Sequence, residues 1–480
     1  MHLSASRNIA SSDNPESNRG VVDPIHGTIK PHADEWRVID TASFQRLRQL
    51  KQLGLGYLVY PNATHTRFAH SLGVFAVMCR ILDIAKNKLP LKEQQVKDLR
   101  LAALLHDIGH YPYSHLMELV DAVRLPEEYL AANPRTLRLE ATEQYPDHEE
   151  LGKIIVTEQA DIRDAIGGID RAERIAALFR RDRVADPQLS KLLHSSLDID
   201  RLDYLPRDAR AAGVPYGRID INYILQNVKA NPQGVIGIDP KARLAAEHFL
   251  LARYFMQRTV YYHKTTFGFE EAFRHLIRRC RDIDAEKYGL PANGAAVRQI
   301  AKNRAGLYEF TDSFLDSVAQ RALAADDQII RSLAHAIVYR HPPSLLREAV
   351  AIFERTNRDA QKHNACEAFL AAIRARLPAL SSTFNLPTGQ FLIAEPKSLT
   401  FEKRGSTIRP QDSDKQPTAE WDELIRLIPD DGSEPIILVD DPGSLLHGIA
   451  GKTCRIVRLY VVDTDEDRVR RLKEEVKSWG

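Results

Sequence analysis

Cysteine is scarce: four residues in 480, widely separated, with no CxxC or mixed Cys/His ligand spacing. That excludes a disulfide framework and a zinc ribbon, and it predicts that Cys79, Cys280, Cys366 and Cys454 are reduced, packed thiols of a cytoplasmic protein. Long apolar runs are missing too. No stretch approaches the roughly 18 residues that a membrane span requires. The opening MHLSASRNIASSDNPESNRG has no signal-peptide core and reads as a flexible tail over residues 1–20. Surplus charge is absent: 66 basic residues face 65 acidic ones. A net charge near zero argues against a broad nucleic-acid footprint and leaves room only for local basic patches.

What is present is helical periodicity. SFQRLRQLKQLG (43–54), RFAHSLGVFAVMCRILDIAKNKL (67–89) and EQQVKDLRLAALLHD (93–107) carry apolar residues at three- and four-residue spacing. The same pattern runs through 188–213, 242–264, 326–340 and PSLLREAVAIFERT (343–356). After about residue 385 the segments GQFLIAEPKSLTFEK, EPIILVDD and CRIVRLYVVD predict strands, with RGSTIRPQDSDKQPT as a polar loop. The ending EDRVRRLKEEVKSWG is a charged amphipathic helix. The expected fold is mainly α: a helical core over 21–290, a helical extension over 291–385 and a small α+β region over 386–480.

The stretch LLHDIGHYPYSH (104–115) closes an apolar helix with three histidines and an aspartate, and Gly109 offers the chain a place to turn. An imidazole beside a carboxylate suits a divalent metal such as Mg, Mn, Fe or Zn, but two adjacent residues cannot complete its coordination. His70 in RFAHSLGV and Asp200 in HSSLDIDRLDYLPRD supply the same chemistry from two further apolar helices. A step of about 100° per residue puts Asp200, Tyr204 and Asp208 on one stripe. Any one of these histidines alone is better read as a packed or surface residue; H…HD…D across three helices is a metal site.

RFAHSLGV, LLHDIGHYPYSH and DIDRLDYLPRD resemble the motifs of the HD-domain phosphohydrolases, in the dNTP triphosphohydrolase branch. VVDPIHGTI, the run from Ile39 to His70 and RTVYYHK extend the likeness over about residues 21–345, without the SAM domain of the branch's human member. The resemblance implies that His70, His106, Asp107 and Asp200 hold the metal. It implies that His110 and His115 are active-site histidines, with Arg67 reaching the phosphates from the helix face that carries His70. His115 is the better proton donor to the leaving oxygen. His148 matches a further histidine of that site, a structural role being an equal reading.

For the substrate, the resemblance implies that Gln52 and Asp208 hydrogen-bond a 3′-hydroxyl while Leu53 and Tyr261 crowd the 2′ position. Tyr204 would pack on sugar and base, and Arg201 would meet phosphate where the human member has lysine. Arg253, Gln257 and Tyr261 are spaced as one stripe, either solvated or contacting phosphate, base and sugar; Gln257 stands where the human member has histidine. The implied reaction is dNTP to deoxynucleoside and triphosphate. Other readings are a different nucleotidase or phosphodiesterase on the same scaffold, or a nucleotide-sensing regulator. DPIHG (23–27), Asp40, Gln45, Arg46 and Arg48 resemble a segment binding activating nucleotides between subunits, which implies a homo-oligomer, a tetramer being favoured. The alternative for the two arginines is a solvated amphipathic face.

Overall fold

The computed structural model describes residues 19–85, 91–125, 143–180, 193, 198–231, 235–402, 404 and 424–479. Apart from Arg19, Gly20 and Arg404, the expected tail and polar loop lie outside the described residues, as do most of residues 188–197. The fold is mainly α, as expected. In chain order the principal helices are α1 (Arg67–Ala85), α2 (Glu93–Leu105), α3 (His148–Glu158), α4 (Ile169–Phe179), α5 (Ile199–Ala212), α6 (Arg243–Met256), α7 (Lys264–Tyr288), α8 (Gln328–Val338), α9 (Ala365–Phe384) and α10 (Glu466–Val476). Among the described residues, no helix is long and apolar enough to cross a membrane.

Helix α1 is the axle. Phe68, Leu72, Val74, Phe75, Val77 and Met78 are all buried, so its apolar character runs around the cylinder rather than along one stripe. It packs against α2 and α5, α2 packs against α4, α4 against α3, and α7 against α8. Helix α5 begins at Asp198, whose carboxylate accepts the Asp200 backbone N–H at 3.0 Å, and ends at Gly213 with φ of 71°. Helix α3 begins at Asp147, which accepts the Glu150 N–H at 2.7 Å and fixes His148 as the first helical residue.

The strands are short apart from β5 and β10: β1 (Val21–Asp23), β2 (Gly27–Ile29), β3 (Val228–Ala230), β4 (Ile236–Ile238), β5 (Ser344–Glu354), β6 (Phe391–Ala394), β7 (Leu399–Thr400), β8 (Arg426–Leu427), β9 (Ile436–Ile437) and β10 (Lys452–Val461). β1 and β2 form an antiparallel hairpin with Val21 opposite Ile29. Strand β10 pairs antiparallel with β5, β6 and β7, and this sheet encloses a second core with α9 and α10 around Phe369, Leu459, Leu472 and Trp479. The third sheet runs β3-β4-β8-β9 and ties the C-terminal region to the segment before α6.

Three helical expectations fail locally. Residues 343–356 contain strand β5, not a helix: the β-branched run of β10 pairs along it and overrides the helix-forming Leu, Glu and Ala. Residues 43–54 break into a short helix to Gln45, a 3₁₀ turn at Arg46–Gln49 and an extended Lys51 bridged to Thr66. The 242–264 helix gives way after Met256 to a π turn at Gln257–Tyr261, a distortion common at functional sites.

Candidate active site

His70 sits inside α1, His106 and Asp107 follow the last residue of α2, and Asp200 is the second residue of α5. His70 Nε2 lies 2.8 Å from Asp200 Oδ1 and 3.5 Å from Asp107 Oδ2. His106 Nε2 lies 3.3 Å from Asp107 Oδ1 and 3.7 Å from Asp200 Oδ1. Donor atoms of His70, His106 and Asp200 all fall within 4.8 Å of one another, with Asp107 alongside. Both Nε2 atoms are buried without a hydrogen-bond partner. His106 Nδ1 is 2.9 Å from the Ala103 carbonyl, which can only accept, so the lone pair of the neutral ring is on Nε2. His70 Nδ1 is likewise 2.7 Å from Asp203 Oδ2. Two orphaned Nε2 atoms and two carboxylates converging on one point fit a divalent metal.

The electrostatics agree. Burial opposes a charged His70, yet the nearby carboxylates of Asp200, Asp203 and Asp107 outweigh it and raise the imidazolium to about 10. Asp107 is held well below the usual carboxylate range against its burial, chiefly by Arg67 and His106. The pocket thus favours a cation, and a metal would replace these protons.

A second group flanks the first. Glu118 Oε2 is 2.6 Å from His115 Nδ1, and its Oε1 is 3.0 Å from His148 Nδ1. His110 stacks on His148 with ring centres 4.2 Å apart and lies 3.2 Å from Asp107. Burial and Arg67 push His110 well below its ordinary value, so it is a neutral imidazole; Glu118 is depressed, against its burial, by His115 and His148. The loop presenting His115 is strained, with Tyr113 and Ser114 at φ of 51° and 59°. Asp312 holds it by accepting the Tyr113 N–H at 2.7 Å, and Arg67 Nε donates to Ser114 Oγ at 3.1 Å. Arg67 NH1 meanwhile donates to Asp107 at 2.5 Å.

All the residues expected to meet substrate line one cavity of about 980 Å³ with His106, Asp107 and Asp200: Gln52, Leu53, Arg67, Arg201, Tyr204, Asp208, Arg253, Gln257 and Tyr261. The π turn keeps Gln257 and Tyr261 on the wall below Arg253. Asp208 accepts the Tyr261 hydroxyl at 2.8 Å and pairs with His65 at 2.7 Å; the Gln52 side-chain oxygen has no partner. Sequence reasoning missed five contributors. Glu118 follows His115 by three residues, the spacing of one helical face. His65 and Asp203 act through long-range contacts, and Glu395 with Lys397 bring the C-terminal region to the cavity wall.

The residues expected to bind an activator differ in exposure. Arg46 is buried and donates to the backbone carbonyls of Phe310, Ile108 and His110 at 2.9, 3.2 and 2.7 Å. It braces the active-site loop. Asp40 and Arg48 are exposed, Arg48 covering Phe68 and donating to Gln45 at 2.7 Å, and Asp40 pairs with Arg19 at 2.6 Å.

Among known proteins, residues 67–208 match the HD domain and residues 219–290 the HD associated region. The uncharacterized protein YwfO of Bacillus subtilis is 32% identical over 276 residues, 55% of this chain and 57% of that one. The deoxynucleoside triphosphate triphosphohydrolase SAMHD1 of Gallus gallus is 32% identical over 210 residues, 40% of this chain and 34% of that one. The chain spans about half the length of the curated relatives it matches. A phosphohydrolase structure from Bacteroides thetaiotaomicron shares the fold, with a TM-score of 0.66 and 21% identity over 92% of this chain and 99% of that one. The His/Asp cluster lies within the matched segment, and residues 67–208 of this chain are an HD domain followed by its HD associated region.

Proposed function

We propose that the protein is a divalent-metal-dependent triphosphohydrolase acting on deoxynucleoside triphosphates. The observation that carries this reading is the sharing of one cavity by the His/Asp donor set, a cationic wall and a pocket built as for deoxyribose. A metal held by His70, His106, Asp107 and Asp200 would supply Lewis-acid polarisation of a phosphoryl oxygen and acidify water. The chain's own residues do the rest. Arg67, Arg201 and Arg253 neutralise the triphosphate. Gln52, whose oxygen lacks a donor, and Asp208 receive the 3′-hydroxyl; Leu53 and Tyr261 close the 2′ side, where a ribose hydroxyl would be crowded and unsatisfied. Water attacks the α-phosphorus as the bond to O5′ breaks, and the electron pair leaves on O5′. His115, oriented by Glu118, gives O5′ its proton; His110 and His148 complete the wall facing the reacting atoms. The SAMHD1 relatives carry that activity in their names.

A nucleotide activator would meet Asp40, Gln45 and Arg48 at a subunit interface of a homo-oligomer, tetramer favoured. One observation favours a second reading, a nucleotidase or phosphodiesterase: Arg253 lies 3.6 Å from Glu402, a carboxylate that competes for the guanidinium. Product analysis separates the two. Metal-supplied protein is incubated with each dNTP, singly and mixed, beside the matching NTPs, with Asp107→Ala as control. Deoxynucleoside and intact triphosphate from dNTPs alone are expected, and turnover confined to mixtures would support the activator. Orthophosphate or monophosphate products, or equal turnover of NTPs, refute the proposal.

A further inference from the structure

His70 faces two ways. Its Nε2 belongs to the donor cluster, while its Nδ1 meets Asp203 Oδ2 at 2.7 Å. The Asp203 side chain is wholly buried and surrounded by donors. Arg207 contributes Nε and NH2, each at 2.8 Å, and His26 Nε2 lies 2.6 Å from Oδ1. His26 comes from the turn between β1 and β2, 177 residues away in sequence, and its side chain is 2% exposed. The circuit closes through Asp23. One of its oxygens accepts Arg207 NH1 at 2.8 Å, and the other accepts the Ile25 and His26 backbone N–H groups, both at 2.9 Å. Arg210 adds a second tie to the turn by donating to the Pro24 carbonyl at 2.9 Å.

Room for this network is built into α1. A Cβ at Gly73 would lie 1.8 Å from Asp203 Oδ1 and 2.4 Å from Arg207 NH2, so only glycine admits the pair against the helix that carries His70. A buried ionic network is weakly stabilising at best, because desolvation offsets its Coulombic gain. Its geometry suits orientation: a carboxylate on Nδ1 fixes the imidazole's rotation and turns Nε2 toward the metal.

We propose that the β1–β2 turn, acting through His26 and Asp203, positions His70 for metal, so that metal affinity and the order of the Val21–Ile29 hairpin are thermodynamically linked. The inference rests on the metal-site reading above. His26 holds Asp203 Oδ1 and Arg207 holds both oxygens, so the carboxylate plane cannot rotate. Without His26, Asp203 retains a single buried arginine and its grip on Nδ1 loosens. Linkage is reciprocal: metal on Nε2 must then steady the turn as much as the turn steadies the ring.

The test is cobalt(II) binding to the full chain, followed by its visible absorption and by calorimetry, in wild type, His26→Ala, His26→Gln and His70→Ala. The expected result is a roughly 10- to 100-fold weaker cobalt affinity in His26→Ala, the cost typical of losing such an outer partner. His26→Gln, which keeps an amide donor, recovers most of it. Backbone hydrogen exchange at Ile25 and His26 slows when cobalt is added to wild type. Wild-type affinity in His26→Ala overturns the proposal, even if the variant melts earlier, as does hairpin exchange indifferent to cobalt. If His26→Ala does not fold, Asp23→Asn, which loses the oxygen that ties the turn to Arg207 and keeps the His26 side chain, decides by the same criterion. Equal cobalt binding by wild type and His70→Ala would instead sink the metal-site reading itself.

Discussion

Gly109→Ala tests how the two histidine groups are held in register. Gly109 lies in the turn that the sequence suggested, but its φ is not positive, so left-handed backbone is not the reason for glycine. Close approach is. An added Cβ would lie 2.0 Å from the His148 carbonyl oxygen, 2.2 Å from Gly152 N and 2.8 Å from Gly152 Cα. All three are backbone atoms of α3, so no side chain can swing aside. Restoring ordinary contact at 3.4 Å requires a displacement of about 1.4 Å (3.4 − 2.0) between the turn and α3. That displacement breaks the Glu118 contacts to His148 N and Nδ1, at 3.1 and 3.0 Å, and parts the His110–His148 stack. Overpacking costs about 1–3 kcal/mol, and two hydrogen bonds to a carboxylate add about 1–2 more. The expected destabilisation is about 3 kcal/mol, read by urea unfolding. Turnover should fall about 100-fold, the scale of a misplaced acid–base group. Metal affinity should change less than turnover, because none of His70, His106, Asp107 and Asp200 is on α3 and Arg46 holds the Ile108 and His110 carbonyls of the turn. A loss under about 1 kcal/mol with normal turnover would refute the reasoning.

Two further perturbations probe the buried charges. Arg46→Leu removes the donors to three buried carbonyls, and at about 1 kcal/mol or more for each it should cost about 3 kcal/mol in urea unfolding; a cost below about 1 kcal/mol would contradict the bracing role. Glu270, on the cavity wall, is pushed by burial up to about 7, with Arg274 pulling the other way. The unfolded chain releases this proton near 4.5 and the folded chain only near 7, so stability attributable to Glu270 falls as pH rises through that window, by up to about 3 kcal/mol. Glu270→Gln should therefore gain stability relative to wild type between pH 5 and pH 8, and an equal difference at both pH values would exclude this origin.

The HD cluster was legible because its chemistry is rare in its setting. Histidine and aspartate at the end of an apolar helix have few structural uses, and three such helices reinforce each other. The division of labour among the aspartates of DIDRLDYLPRD was not legible. Asp198 caps α5, Asp200 faces the cluster, Asp203 holds His70 from behind, and Asp208 joins Tyr261 and His65. Helical spacing separates the stripe 200–204–208 from 203, but it cannot say which neighbour each face meets. Arg46 and Arg48 teach the same lesson: two residues apart, they diverge as expected, and only packing decides that one becomes a brace.

The C-terminal region shows the limit more sharply. LLREAVAIF favours a helix on local propensity, and its conversion to β5 depends on β10, about a hundred residues later, offering a partner richer in β-branched residues. Its role at the cavity is just as non-local. Arg455 on β10 donates to Glu395 at 2.7 Å, Arg124 pairs with the same carboxylate, and the Tyr262 hydroxyl donates to the Lys397 carbonyl at 2.9 Å. Tyr262 adjoins Tyr261, so the cavity wall at Asp208 and the C-terminal wall are fastened by consecutive residues. A change in the β5–β10 sheet can therefore reach the substrate cavity through packed structure, a coupling written in no single motif.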